Sequence, residues 1–210
     1  LPNWSDDSIT SAAIVDIPSL PDGFIIMFAG NMGEAQNLEN VLVAANLLKA
    51  DTHIQWVFVG DGRKKQWVED FVAKNDLAET VHLMGRYPIS YMPTFFKYAD
   101  LMLVSLQDKP VFNLTLPAKV QAYMSCSKPI LAMLNGEGQD VIHSADCGWC
   151  VSPDDVDGLV RTVRELASYP LGILKEKGKN GYEYYTTHFD KTICLDALES
   201  DLLSMKDTVS

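Results

Sequence analysis

From Phe24 onward, short apolar runs recur along the chain: Phe24–Ala29, Ile54–Val59, Thr80–Met84, Leu101–Ser105, Pro129–Met133 and Gly148–Val151. Several are rich in Val, Ile and Phe at consecutive positions, which predicts strands covered on both faces rather than half-exposed ones. Between these runs the period turns helical. Leu38, Val41, Leu42, Ala45 and Leu48 share one face over Leu38–Leu48, and Trp67–Val72, Met92–Tyr98 and Val120–Met124 repeat the pattern more briefly. Pro153-Asp154-Asp155, read as a first-turn proline with acidic neighbours, predicts a helix through Leu159 and Val163 towards Leu166. The alternation predicts an α/β fold: a Rossmann-like, doubly wound, mainly parallel sheet of about six strands with right-handed crossovers. Residues 1–23 carry prolines and turn formers without a sustained period and read as a connecting segment. Residues 24–170 form the α/β domain, and residues 171–210 a helical C-terminal tail.

Composition narrows the function classes. The 210 residues are 47% hydrophobic and 21% charged, which excludes disorder. Lys plus Arg is 17 against 28 Asp plus Glu, a formal charge of 17 − 28 = −11. A nucleic-acid coat or a polybasic membrane patch needs surplus positive charge, so neither is expected. No apolar stretch approaches the roughly 18 residues of a bilayer span, and no basic segment precedes an apolar one at the N-terminus. A cytoplasmic setting fits these features. Four cysteines in 210 residues make no disulfide scaffold.

In an open parallel sheet, ligands meet the carboxyl ends of the strands. Those ends are Gly30-Asn31-Met32-Gly33, Gly60-Asp61-Gly62-Arg63, Gly85-Arg86-Tyr87, Ser105–Ala118 and Asn135–Gly138. Each glycine alone could serve only a turn; together they read as one rim that cradles a nucleotide. The first loop lacks the G-x-G-x-x-G dinucleotide fingerprint and the Gly-Lys-Ser/Thr of a Walker loop, so NAD and ATPase readings lose support. Pro117-Ala118-Lys119 opens a helix after a long loop, offering free amides and an ammonium to a diphosphate. A lone lysine at a helix start is ordinarily just a solvated one.

Cys147-Gly148-Trp149-Cys150 has redox-motif spacing. It runs into a strand rather than onto a helix start, so its cysteines read as structural thiols. With no second pair there is no zinc quartet. His53, His82, His143 and His188 are scattered without metal-ligand spacing. No metal site and no resident cofactor are expected.

An ordered series of short motifs resembles the C-terminal, donor-binding half of GT-B glycosyltransferases of family 4. It comprises Asn3-Trp4, Gly30–Gln36, Val59-Gly60-Asp61-Gly62, Val81–Arg86, Ala99–Leu103, Leu116-Pro117-Ala118-Lys119, Tyr123–Ile130 with Ser127-Lys128-Pro129, Gly148, and Val151–Asp154. Each motif is weak alone; their order over residues 3–165 is specific. The resemblance implies a nucleotide-sugar donor of UDP or GDP type. Its base would lie near Gly85, Arg86 and Tyr87, and its diphosphate against Gly30, Asn31, Gly33, Gly60, Gly62, Pro117, Ala118 and Lys119. It also implies retention of anomeric configuration without a metal. A glycan or lipid-linked acceptor would be held by an N-terminal domain that this chain lacks, which leaves peripheral membrane association of the full enzyme open. Thr192–Met205 would cross back to that domain.

Five positions depart from the family. Asn31 replaces an arginine, Gln36-Asn37 a Lys-Gly pair, and Leu114 and Ala122 two glutamates. The missing charges keep two other readings open: a non-catalytic nucleotide-sugar-binding module, and a sugar-nucleotide epimerase-like enzyme. No catalytic residue can be named from the sequence.

Overall fold

The computed structural model describes residues 15–196 and 199. Six strands form one sheet in the order β3-β2-β1-β4-β5-β6. They are β1 (Phe24–Asn31), β2 (Ile54–Asp61), β3 (Val81–Gly85), β4 (Leu101–Ser105), β5 (Ile130–Met133) and β6 (Gly148–Val151). Every pairing is parallel, as the doubly apolar strands predict. Along β1 the side chains alternate between two cores. Phe24, Ile26 and Phe28 join the first; Ile25, Met27 and Ala29 join the second.

Helices α1 (Leu38–Leu47), α2 (Lys65–Lys74) and α7 (Val156–Ala167) cover the first face. Helices α3 (Met92–Tyr98), α5 (Ala118–Ser125) and α6 (Glu137–Ser144) cover the second, and α4 (Pro110–Asn113) is a single turn in the loop after β4. Helix α8 (Leu171–His188) lies against α5, with Tyr185 in the second core. Full burial of each large apolar side chain in these layers stabilises by about 1.5–3 kcal/mol.

Two expectations shift when the helix starts are seen. Pro153 does not open α7: the N-cap is Asp155, whose carboxylate accepts from Gly158 N at 2.8 Å. Pro153 instead offers its carbonyl to Asn37 and Asn40, both at 2.8 Å, tying this loop to α1. Similarly, Pro117 is the N-cap of α5 rather than its first turn. A carboxylate can accept from a first-turn amide and proline cannot, so the cap falls on aspartate where one is available.

Two charged residues of the family-like motifs are structural. The Asp100 carboxylate accepts from Ile25 N at 2.8 Å, joining β4 to the start of β1. The Lys128 ammonium donates to the carbonyls of Lys97 and Ala99, closing the C-terminal end of α3. The Asn3-Trp4 motif and most of the expected Thr192–Met205 crossing lie outside the described residues.

Candidate functional site

Chain order and sheet order part company between β1 and β4, the topological switch point. The two strands pair only at Ile26↔Leu101 and Met27↔Met102, then diverge. Their ladder is continued by a side chain. The buried Tyr123 hydroxyl of α5 accepts from Ala29 N at 3.2 Å and donates to Ala29 O at 3.1 Å. Burial raises the Tyr123 pKa far above the ordinary phenol value, so it stays a neutral donor.

Above this fork opens a cleft of about 1290 Å³. Of the expected site residues, Gly30, Asn31, Gly60, Gly62, Arg86, Tyr87, Ala118 and Lys119 line it together. Gly33, Gly85 and Pro117 do not. The Asn31 amide lies against the Cα of Gly33, Gly85 ends β3 just before the lining begins, and Pro117 packs towards Gly138. Ala122, singled out in the sequence as a departure from the family, also lines the cleft, and sequence reasoning missed Pro88, Ile89, Met92 and Phe96, which add an apolar wall. The Ser105–Ala118 segment contributes only Ala118, and the Asn135–Gly138 loop turns away to pack on Asn113.

The glycine loops are close because they must be. Gly60 has φ +146°, and a Cβ there would stand 1.9 Å from Gly30 O. Any side chain would push the first two loops apart. At Gly30 (φ +131°) the missing Cβ leaves room for the Lys119 stem, whose Cε lies 2.9 Å from where that Cβ would be.

Lys119 is therefore not the solvated surface lysine that its position suggests. Its side chain passes Gly30 and ends 3.9 Å from the centroid of Phe28, whose ring belongs to the opposite core. The ammonium donates to Gln36 Oε1. Burial pulls its pKa down to about 7. Val120 N is the first amide to bond back within the helix, to Pro117 O at 2.9 Å, and no side chain caps α5. The amides of Ala118 and Lys119 thus face the cleft with the positive end of the helix.

The first loop is held from both sides. The Ser105 hydroxyl donates to Gln36 O, and Gln107 N donates to Ala35 O at 2.9 Å. Lys64 pairs with Glu34 and Glu39, so its charge is committed to the loop and not to a ligand. Asn37 has φ +48°, a left-handed conformation that asparagine tolerates; this explains a residue of that type where the family carries glycine.

The remaining candidates are structural. Cys150 lies in β6, and burial pushes both the Cys147 and Cys150 thiols up to about 12, keeping them protonated. The Asp155–Asp157 pair has Asp-x-Asp spacing but sits at the start of α7, with Asp155 committed to the cap. His82 meets Gln55 Oε1 at 2.6 Å across β2 and β3. Among the described residues, no group of three His, Cys, Asp or Glu is placed to hold a metal ion.

With this geometry in view, one family model matches most of the chain, and solved structures share its fold. The family model described as "Glycosyl transferases group 1" matches residues 23–168. The probable glycosyltransferase WbjE of Pseudomonas aeruginosa is 27% identical over 196 residues, covering 90% of this chain and 48% of that protein. The chain spans about half the length of the curated relatives it matches. Among solved structures, the C-terminal domain of the group 1 glycosyl transferase LpcC from Francisella tularensis superposes with a TM-score of 0.66 at 18% identity, covering 82% of this chain and 89% of that one. Anabaena HepE, solved with UDP and glucose, superposes with a TM-score of 0.69 at 15% identity, over 87% of this chain and 48% of its own.

Proposed function

The chain belongs to the glycosyl transferases group 1 family, and from that premise we propose that its cleft binds the donor for sugar transfer. In this reading it is the donor half of a family 4 enzyme that moves a sugar from a UDP- or GDP-sugar to a glycan or glycolipid, with retention of configuration. One observation carries the proposal. At the fork of β1 and β4, two glycine loops, the open start of α5 and the Lys119 ammonium converge on one cleft. That is the arrangement a diphosphate needs. The Anabaena HepE complex with UDP and glucose supports a nucleotide-sugar as the occupant.

The base would stack against the apolar wall by Arg86, Tyr87 and Ile89, and the diphosphate would lie between Gly30 and Lys119. As the bond from the anomeric carbon to the diphosphate breaks, negative charge builds on the leaving group. Preorganised amides and the ammonium stabilise that charge without reorganising. No metal is assigned a part. The acceptor and the rest of the catalytic machinery would come from the further length that relatives possess, so the 210 residues alone would not turn over. No described helix is long and apolar enough to cross a membrane; the proposal places the protein in the cytoplasm.

A non-catalytic binding module remains a second reading, favoured by Ala122, which lines the cleft at one of the two positions where the family carries a glutamate. The binding step common to both is tested by thermal shift with UDP-glucose, GDP-mannose and NAD. A ligand at about 100 times its Kd stabilises by about 2.7 kcal/mol, so a nucleotide-sugar should raise the melting temperature. Stabilisation by NAD alone would overturn both readings.

A further inference from the structure

Gln36 belongs to the 3₁₀ turn Glu34–Gln36, between the first loop and α1. Its backbone is fixed at both polar groups: its N–H donates to Gly33 O at 3.1 Å, and its carbonyl accepts from Ser105 Oγ. The side chain is then aimed across the fork, where Oε1 accepts from the ammonium of Lys119, 83 residues away. The Phe28 ring lies beneath that ammonium and the Cα of Gly30 beside it. Ring, amide and glycine form a three-sided seat. A long, flexible lysine side chain loses rotamer entropy when it is fixed, so a seated ammonium loses less on meeting a ligand than a free one.

The choice of an amide matters. A carboxylate at position 36 would seat Lys119 equally well but cancel its charge before a diphosphate arrived. Among the described residues no carboxylate pairs with Lys119; Glu34 of the same turn is taken by Lys64, and Asp61 and Arg86 are the other charged residues lining the cleft. We propose that Gln36 is a positioning residue, holding the Lys119 ammonium beside Gly30 while leaving its positive charge uncompensated for the donor diphosphate. This rests on the donor-binding reading above and adds to it a residue that does not itself line the cleft.

The test is calorimetric titration of the 210-residue chain with UDP-glucose and GDP-mannose, comparing wild type, Gln36→Glu, Gln36→Met and Lys119→Ala. With whichever donor binds the wild type, Gln36→Glu should bind about tenfold more weakly, the worth of one charge-assisted contact. Its melting temperature should be unchanged or higher, because a Glu–Lys pair replaces an amide–Lys bond, and the pH at which donor binding fades should move upward. A merely structural Gln36 would not lower affinity while holding stability and shifting the pH midpoint. Gln36→Met, of similar length but without the acceptor, should weaken binding severalfold. Equal affinity for Gln36→Glu, or tighter binding by Gln36→Met, overturns the role of Gln36 while the donor site stands. If Lys119→Ala binds as well as wild type, the diphosphate contact itself is wrong. If wild type binds neither donor, both proposals fall.

Discussion

Lys119 concentrates the residue-scale chemistry. Its pKa is drawn down to about 7 by burial, so the empty site is charged below that pH and loses its charge as pH rises through it. A nucleotide-sugar diphosphate keeps its charge throughout and favours the protonated amine, so binding above pH 7 takes up a proton. Donor affinity should be highest near pH 6. It should fall with rising pH to a plateau about ten- to a hundredfold weaker, the range for losing a charge-assisted contact of about 1.5–3 kcal/mol. Titrations from pH 6 to 9 on wild type and Lys119→Ala check this. The variant should show a flat, weak profile; a flat wild-type profile would remove Lys119 from the site. Position alone placed Lys119 in the first turn of its helix, correctly. Its burial was not legible, because the partners that bury it, Phe28 and Gln36, are 91 and 83 residues away in the chain.

At the scale of elements, the joint between α5 and β1 decides the shape of the cleft. Tyr123 substitutes one hydroxyl for the missing rung between β1 and β4 and so fixes α5, with Lys119 one turn earlier, against the first loop. Tyr123→Phe keeps the edge-on packing on Phe96, at 5.4 Å between ring centroids, but leaves Ala29 N and O unpaired in a buried setting. The expected cost is about 1–3 kcal/mol of stability, read from urea denaturation; a loss below about 0.5 kcal/mol, the usual range for exposed sites, would show that water replaces the hydroxyl there. The six strands were legible because parallel central strands are apolar on both faces, and their ends shifted by no more than two residues. Helix starts were less legible. Pro153 and Asp155 both signal an N-terminus, and only the local hydrogen bonding shows which one caps.

Over the whole molecule, the fold and the side of the sheet that carries the cleft follow from strand order and the glycine-ended strands. Which loops converge does not. Five strand-end loops were candidates, yet the cleft gathers those of Gly30, Gly60 and Arg86 with the start of α5, while the Asn135–Gly138 loop packs against Asn113. The opening of the switch point draws the first group together, and sequence spacing carries no information about that opening. The central claim is that a nucleotide-sugar lies across this fork with its diphosphate between the first loop and α5. Backbone amide chemical shifts of the isotope-labelled chain, followed during titration with UDP-glucose or GDP-mannose, test it most directly. The account predicts that the largest saturable changes fall on Gly30, Ala118 and Lys119, with smaller ones on Arg86 and Tyr87. Saturable changes confined to residues outside the cleft, or none at millimolar donor, would contradict it.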